Sequence, residues 1–213
     1  SMRRRKKPGA KDELLKFENL LILNPEENKG RWKDISNDKK IHVELGTGRG
    51  QFINTLAEMH KDIFFIGIEI KEEILLEAVK KSNDKGLNNI KYLWHDINNI
   101  DTIFDEDEVE RIYINFCDPW PKKRHSKRRL THRDFLDKYR KILGQNGEIH
   151  FKTDGEELFE FSLNEMLDSE YIVRDVSLNL YREDNIDTVK TEYEEKFISL
   201  GKNIYRLVAK NNK

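Results

Sequence analysis

The sequence predicts a doubly wound α/β domain with a mostly parallel sheet, and three observations carry that prediction. Apolar, β-rich runs alternate with helix-like stretches from Ile41 onward, as in βαβ units. A glycine loop joins the first run to the helix after it. Successive runs end on carboxylates, at the sheet edge where open parallel sheets bind ligands.

Each element follows in order. Residues 1–40 read as a basic arm and an irregular or helical lead-in ending near Trp32, and residues 41–213 as a single domain. Strand patterns lie at 41–45, 63–70, 90–94, 111–116 and 148–151, with helix-like stretches at 50–60, 71–85 and 131–143. Tyr171 to Leu180 and Asn203 to Lys210 are two further strand patterns with no clear helix between them. They are expected to pair antiparallel and close the sheet.

Composition limits the function classes. The chain has 213 residues, enough for one domain with a full core, and 37% of them are charged. No apolar run is long enough to span a bilayer, and the start of the chain lacks the apolar stretch of a secretory signal. Cys117 is the only cysteine, so an intramolecular disulfide and a cysteine-based zinc site are both excluded. The six histidines show no metal-ligand spacing, so no metal is expected. A reducing cytoplasmic setting fits.

The net charge of −1 conceals an asymmetry. Arg3, Arg4, Arg5, Lys6, Lys7 and Lys11 form one run without an acid. Lys122, Lys123, Arg124, Lys127, Arg128 and Arg129 form another. The rest of the chain is therefore strongly acidic. Two basic patches on an acidic body suit a polyanionic partner, although either run alone could be a solvated tail or loop.

The loop in IHVELGTGRGQF, Ile41 to Phe52, carries Gly46, Gly48 and Gly50. These let the backbone turn tightly and approach a ligand without a Cβ in the way. Glu44 lies two residues before the first glycine. An acid there is awkward for a pyrophosphate and suits a ligand carrying an ammonium and a sulfonium. Glu69 ends the second strand, where it can accept both hydroxyls of a ribose. Asp96, after His95, ends the third, where an adenine edge would lie. Each acid alone could be a solvated strand end. Together with the loop they resemble the class I S-adenosylmethionine methyltransferases.

The fourth strand runs into RIYINFCDPWPKKRHSKRRL, Arg111 to Leu130. It ends at Asp118, breaks at Pro119, and continues through Trp120-Pro121 into six bases and His125. A carboxylate, an aromatic and a cationic run thus follow the fourth strand. Trp120 could be a core aromatic or could stack on a base. Cys117 reads as a small buried residue, with a nucleophile attacking cytosine as the alternative.

Here the resemblance becomes specific. VELGTGRGQF (Val43 to Phe52), GIEI (Gly67 to Ile70), NFCDPWPKKRHSKRRL (Asn115 to Leu130), HFKTD (His150 to Asp154) and TEYEEKF (Thr191 to Phe197) resemble the bacterial tRNA (guanine-N7)-methyltransferase family. The resemblance implies a Rossmann-like fold with a seven-stranded sheet and an antiparallel C-terminal strand. It implies methyl transfer from S-adenosylmethionine, leaving S-adenosylhomocysteine, to the guanine at position 46 of the tRNA variable loop. Glu44, Gly46, Gly48, Gly50, Glu69, Asp96 and Asp118 would hold the cofactor, and Asp118 would also be catalytic. Lys122, Asp154, Thr191, Glu192, Tyr193 and Glu194 would contact the substrate nucleotide. Arg124, His125, Ser126, Lys127, Arg128 and Arg129 would hold the RNA. No membrane and no obligatory protein partner are implied, and the chain would act as a monomer or homodimer.

Three positions depart from the family pattern: Cys117 stands where serine is common, and Gly155-Glu156 where Asn-Arg is common. Thr191 and Glu194 also have the spacing of a helix capping box. The chemistry needs no general base, because guanine N7 carries an in-plane lone pair and no proton. Two alternatives remain at this point. One is an exocyclic-amine methyltransferase, since Asp118-Pro119-Trp120 is distantly similar to an Asp-Pro-Pro-aromatic loop. The other is an RNA-binding module without catalysis.

Overall fold

In the computed structural model, residues 9–182 and 188–213 are described, so the run from Arg3 to Lys7 lies outside the described residues. The strands are β1 (Leu21–Ile22), β2 (Lys40–Leu45), β3 (Ile63–Glu69), β4 (Ile90–Trp94), β5 (Val109–Asn115), β6 (Leu143–Thr153), β7 (Ile172–Ser177) and β8 (Tyr205–Lys210). The helices are α1 (Ala10–Leu15), α2 (Trp32–Ser36), α3 (Gln51–Met59), α4 (Glu72–Asp84), α5 (Ile100–Ile103), α6 (Arg133–Ile142), α7 (Glu156–Asp168) and α8 (Glu192–Ser199). One sheet contains all eight strands in the order β1-β4-β3-β2-β5-β6-β8-β7.

The pairs from β1 through β6 are parallel, and β8 is antiparallel to both β6 and β7. The expected closing pair is therefore present. Two expectations need correction. Among the described residues the sheet has eight strands and not seven, because Leu21 and Ile22 of the lead-in pair with Tyr92 and Leu93 at the β4 edge. A helix, α8, does lie between the last two strand patterns, and its N-terminus is a full capping box: Thr191 Oγ1 accepts from Glu194 N at 3.0 Å and Glu194 Oε1 accepts from Thr191 N at 3.2 Å. No helix among the described residues is long and apolar enough to cross a membrane.

Alternation along the strands divides the core between two faces. On β2, Ile41, Val43 and Leu45 face Leu136, Tyr139 and Phe159 of α6 and α7, while His42 and Glu44 face the side of α3 and α4. That second side buries Phe52, Ile53, Leu75, Val79 and Tyr92. The lead-in packs into both layers. Leu14 and Trp32 are fully buried, and Trp32 Nε1 donates to Ile103 O at 2.8 Å. Burying each such side chain contributes about 1.5–3 kcal/mol. The sheet so held is a rigid support for the loops at the carboxyl ends of β2 to β6.

Candidate active site

The glycine loop leaves β2 and enters α3 through Gly46, Gly48 and Gly50, with φ of 74°, 55° and 86°. All three lie in the left-handed region, where a side chain would be strained. At Gly50 packing adds to this, because a Cβ would come within 2.6 Å of Ala78 Cβ. Buried Asn54 fixes the turn by donating to Gly50 O at 2.8 Å and to Ala78 O at 3.2 Å, while Ser82 Oγ donates to its Oδ1 at 2.6 Å.

Two adjoining cavities open along the carboxyl ends of the parallel strands. One, about 300 Å³, is lined by Glu44, Gly46, Gly48, Glu69, Asp118 and Trp120, with Thr191, Glu192 and Tyr193 at another wall. The other, about 510 Å³, is lined by Glu69, Asp96, Trp120, Lys127 and Arg128. They share Gly46, Glu69, Ile70, Ile97, Trp120, Arg128 and Leu130, and so form one cleft. The structure thus brings most of the expected site residues together from segments far apart in the chain.

The acids of this cleft differ in state. Glu44 is buried, and Asn115 Nδ2 donates to its Oε2 at 2.9 Å, while its Oε1 has no partner among the described residues. Burial first, and then the charges of Glu192 and Glu69, push its carboxyl up to about 8 against the opposing Asn115 bond and Lys152 charge. Glu69 accepts at Oε1 from Gly48 N at 3.1 Å and at Oε2 from Ile70 N at 2.9 Å and Lys71 N at 3.2 Å. It therefore orders the glycine loop as well as facing the cleft. Asp96 caps the short turn after β4 by accepting from Asn98 N at 2.9 Å.

After β5 the chain turns sharply. Phe116 and Trp120 have φ of 54° and 42°, a conformation that costs about 1–3 kcal/mol for residues with a Cβ and that clusters at functional sites. Asp118 lies between them. Trp120 is faced by the Arg128 guanidinium at 5.0 Å and edged by His125 at 5.9 Å. The Cys117 thiol is pushed up to about 12 by burial and by the Asp118 charge, which disfavours the thiolate a cytosine-attacking nucleophile needs.

The remaining expected residues stand outside the two cavities. Gly50 is the N-cap of α3. Lys122 and Arg124 are exposed, and Ser126 is half-buried in the same turn. Among the described residues, Lys122, Lys123, Arg124, Lys127 and Arg128 have no ion pair with a carboxylate. Asp154 at the end of β6 pairs with Lys202 at 3.6 Å. Glu194 is fully buried: its Oε1 accepts from Lys152 Nζ at 2.7 Å and its Oε2 accepts from the Tyr181 hydroxyl. Glu192, which does line the cleft, accepts from Gln51 N, the first amide of α3, at 2.9 Å and from Lys81 Nζ at 3.3 Å.

Three contributors are not apparent from sequence. Lys152 donates to Val189 O at 3.1 Å as well as to Glu194, so it ties β6 to the wall of the cleft. A lone lysine inside an apolar strand pattern is the one available signal. Asn115, which orients Glu44, has none. Lys81 donates to Arg49 O at 2.8 Å and so joins the glycine loop to Glu192; on the amphipathic helix α4 it looks like any other lysine.

Residues 38–207 match the family described as "Putative methyltransferase". A tRNA (guanine-N(7)-)-methyltransferase of Clostridioides difficile is 51% identical over 211 residues, 98% of this chain and 99% of that one. One of Bacillus subtilis is 46% identical over 206 residues, 96% of this chain and 97% of that one. Among solved structures, the 16S rRNA methyltransferase KamB is similar with a TM-score of 0.65 at 13% identity, covering 86% of this chain and 94% of its own. An antibiotic-related methyltransferase has a TM-score of 0.62 at 20% identity over the same shares. Both show the shared Rossmann-like fold.

Proposed function

This chain belongs to the tRNA (guanine-N(7)-)-methyltransferase family, and we propose that the cleft at the carboxyl edge of its sheet is where it moves a methyl group from S-adenosylmethionine to N7 of a tRNA guanine. The observation that carries the assignment to this cleft is the meeting of Glu44, Glu69, Asp96 and Asp118 with the Thr191 to Tyr193 wall around one space. Residues 41–213 are the catalytic domain in this reading, and the lead-in adds the edge strand β1 and packs into both of its core layers.

The residues fit that cofactor. A buried carboxyl whose second oxygen has no partner among the described residues, Glu44, suits a cationic ligand, and the three loop glycines allow close backbone approach. When bound, S-adenosylmethionine supplies a methyl group activated by its sulfonium. Glu44 would take the ammonium side, Glu69 the ribose and Asp96 the adenine edge.

The chain's own work is then placement. Guanine N7 needs no proton removed, so rate comes mostly from holding the base in line with the methyl group. Asp118 and Asp154 would accept from guanine N1–H and N2–H. An adenine offers no such donors and would leave those acids unpaired, so they also select guanine. Tyr193, about half exposed at the mouth, offers a ring for stacking. Glu194 acts indirectly in this reading, by fixing the turn that carries Thr191, Glu192 and Tyr193. Lys122 to Arg128 would bind phosphates beside the cleft. The target within tRNA is the guanine at position 46 of the variable loop.

Incubation with bulk tRNA and methyl-labelled cofactor, followed by digestion to nucleosides, tests the activity. The label is expected in 7-methylguanosine. Label in another nucleoside, or none, overturns it.

A further inference from the structure

We propose that Arg129 is a positioning residue that locks the Asp118-Pro119-Trp120 turn, and that it does not contact RNA phosphate. The proposal rests on the reading that Asp118 and Trp120 serve the methyl-transfer cleft.

In sequence Arg129 is the last of six bases and cannot be told from its neighbours. In the structure it is set apart from them. Its Nε donates to Pro119 O at 3.1 Å and to Trp120 O at 3.2 Å, and its Nη2 donates to Trp120 O at 2.9 Å. The same guanidinium lies 4.4 Å from the centre of the Phe161 ring on α7. Stacking covers one face of the planar group and carbonyls engage its Nε–Nη2 edge, so that edge is not open to grip a phosphate. Lys123, Arg124 and Lys127 are exposed, whereas Arg129 is half-buried.

The bonds fall where the chain is strained. Trp120 has φ of 42°, outside the range a tryptophan ordinarily adopts, and it lines both cavities of the cleft. Such a conformation persists only where the surroundings over-determine it. Arg129 supplies that constraint by tying the turn to α7, ten residues along the chain from one carbonyl and nine from the other. Lysine lacks the planar fork and cannot reproduce all of these contacts.

The test compares Arg129→Gln with Arg129→Lys, which keeps the charge and guards against a failure of the first to fold. Three readouts are used: single-turnover methyl transfer at saturating tRNA, the salt dependence of tRNA affinity, and fluorine resonances of protein labelled with fluorotryptophan. The chain has three tryptophans, and a Trp120→Phe sample assigns the resonance of interest. Both variants are expected to move the Trp120 resonance. Arg129→Gln is expected to slow transfer by about ten-fold or more while the salt slope stays at the wild-type value. Wild-type transfer with a slope reduced by about one would make Arg129 a phosphate contact and overturn the proposal. An unmoved Trp120 resonance would overturn it as well. Should the wild-type protein transfer no methyl group to tRNA, the functional reading fails, and the resonance still decides whether Arg129 holds the turn.

Discussion

Lys152 Nζ and Glu194 Oε1 lie 2.7 Å apart in an ion pair removed from water, with side-chain exposures of 8% and 0%. Lys152 belongs to β6 and Glu194 to α8, so the pair fixes the wall that carries Thr191, Glu192 and Tyr193. Burial lowers the Lys152 pKa from its ordinary value, and the Glu194 charge offsets part of that. Removing one partner leaves the other charge buried alone. Glu194→Ala is expected to cost about 3–5 kcal/mol, or roughly 6–20 °C in melting temperature. The pair Lys152→Met with Glu194→Leu is expected to regain much of that stability without regaining activity. Thermal melts followed by circular dichroism check both. An additive loss in the double variant would contradict the account.

Cofactor binding is expected to release a proton from Glu44. Its carboxyl is raised from 4.5 to about 8, so it stays protonated at neutral pH in the free protein. For a raised acid, the stability gained by burying the neutral form is full below the unfolded value and is lost as pH rises through about 8. A cationic ligand reverses the preference by favouring the carboxylate. Affinity for the cofactor should then rise with pH up to that value. Calorimetry at pH 7 in two buffers of different protonation enthalpy should show close to one proton released, and Glu44→Gln should abolish the difference.

Glu69→Ala is expected to weaken cofactor binding by about ten- to a hundred-fold, the equivalent of losing a charge-assisted hydrogen bond of about 1.5–3 kcal/mol. Part of the loss would come through the loop, since Glu69 also holds the amides of Gly48, Ile70 and Lys71. Calorimetric titration checks it, and unchanged affinity would remove Glu69 from the cofactor site.

Affinity for tRNA should fall steeply with salt. Replacing Lys123, Arg124 and Lys127 with glutamine should reduce the log–log slope by about one for each phosphate that is no longer neutralised. Fluorescence anisotropy across a salt series measures this. An unchanged slope would mean that the turn is a solvated loop.

The legible parts of the sequence are those with a strong period or rare spacing. The runs at Ile41, Ile63, Ile90 and Arg111 form β2 to β5, because burial on both faces enforces continuous apolar stretches. Helix α7 is not legible. Its buried face includes Ser162, bonded to Thr131, and Glu165, paired with Arg133, while Leu167 points to solvent, so the apolar stripe is blurred. Strand β1 has two residues and no period, and it exists only through pairing with β4. Among site residues, the carboxylates at strand ends are visible from position alone. Asn115, Lys81 and Arg129 are not, because their roles depend on which distant groups the fold brings to them.

The most direct test is a single-turnover methylation of a tRNA transcript, mapped by borohydride reduction and aniline cleavage, which cuts at 7-methylguanosine. Wild-type protein is expected to give one cut, at the variable-loop guanine. Asp118→Asn, similar in shape, is expected to give the same cut about ten- to a hundred-fold more slowly, because an interaction strengthened in the transition state has been removed. A methylated transcript that resists cleavage, or an Asp118→Asn rate equal to wild type, would contradict the account.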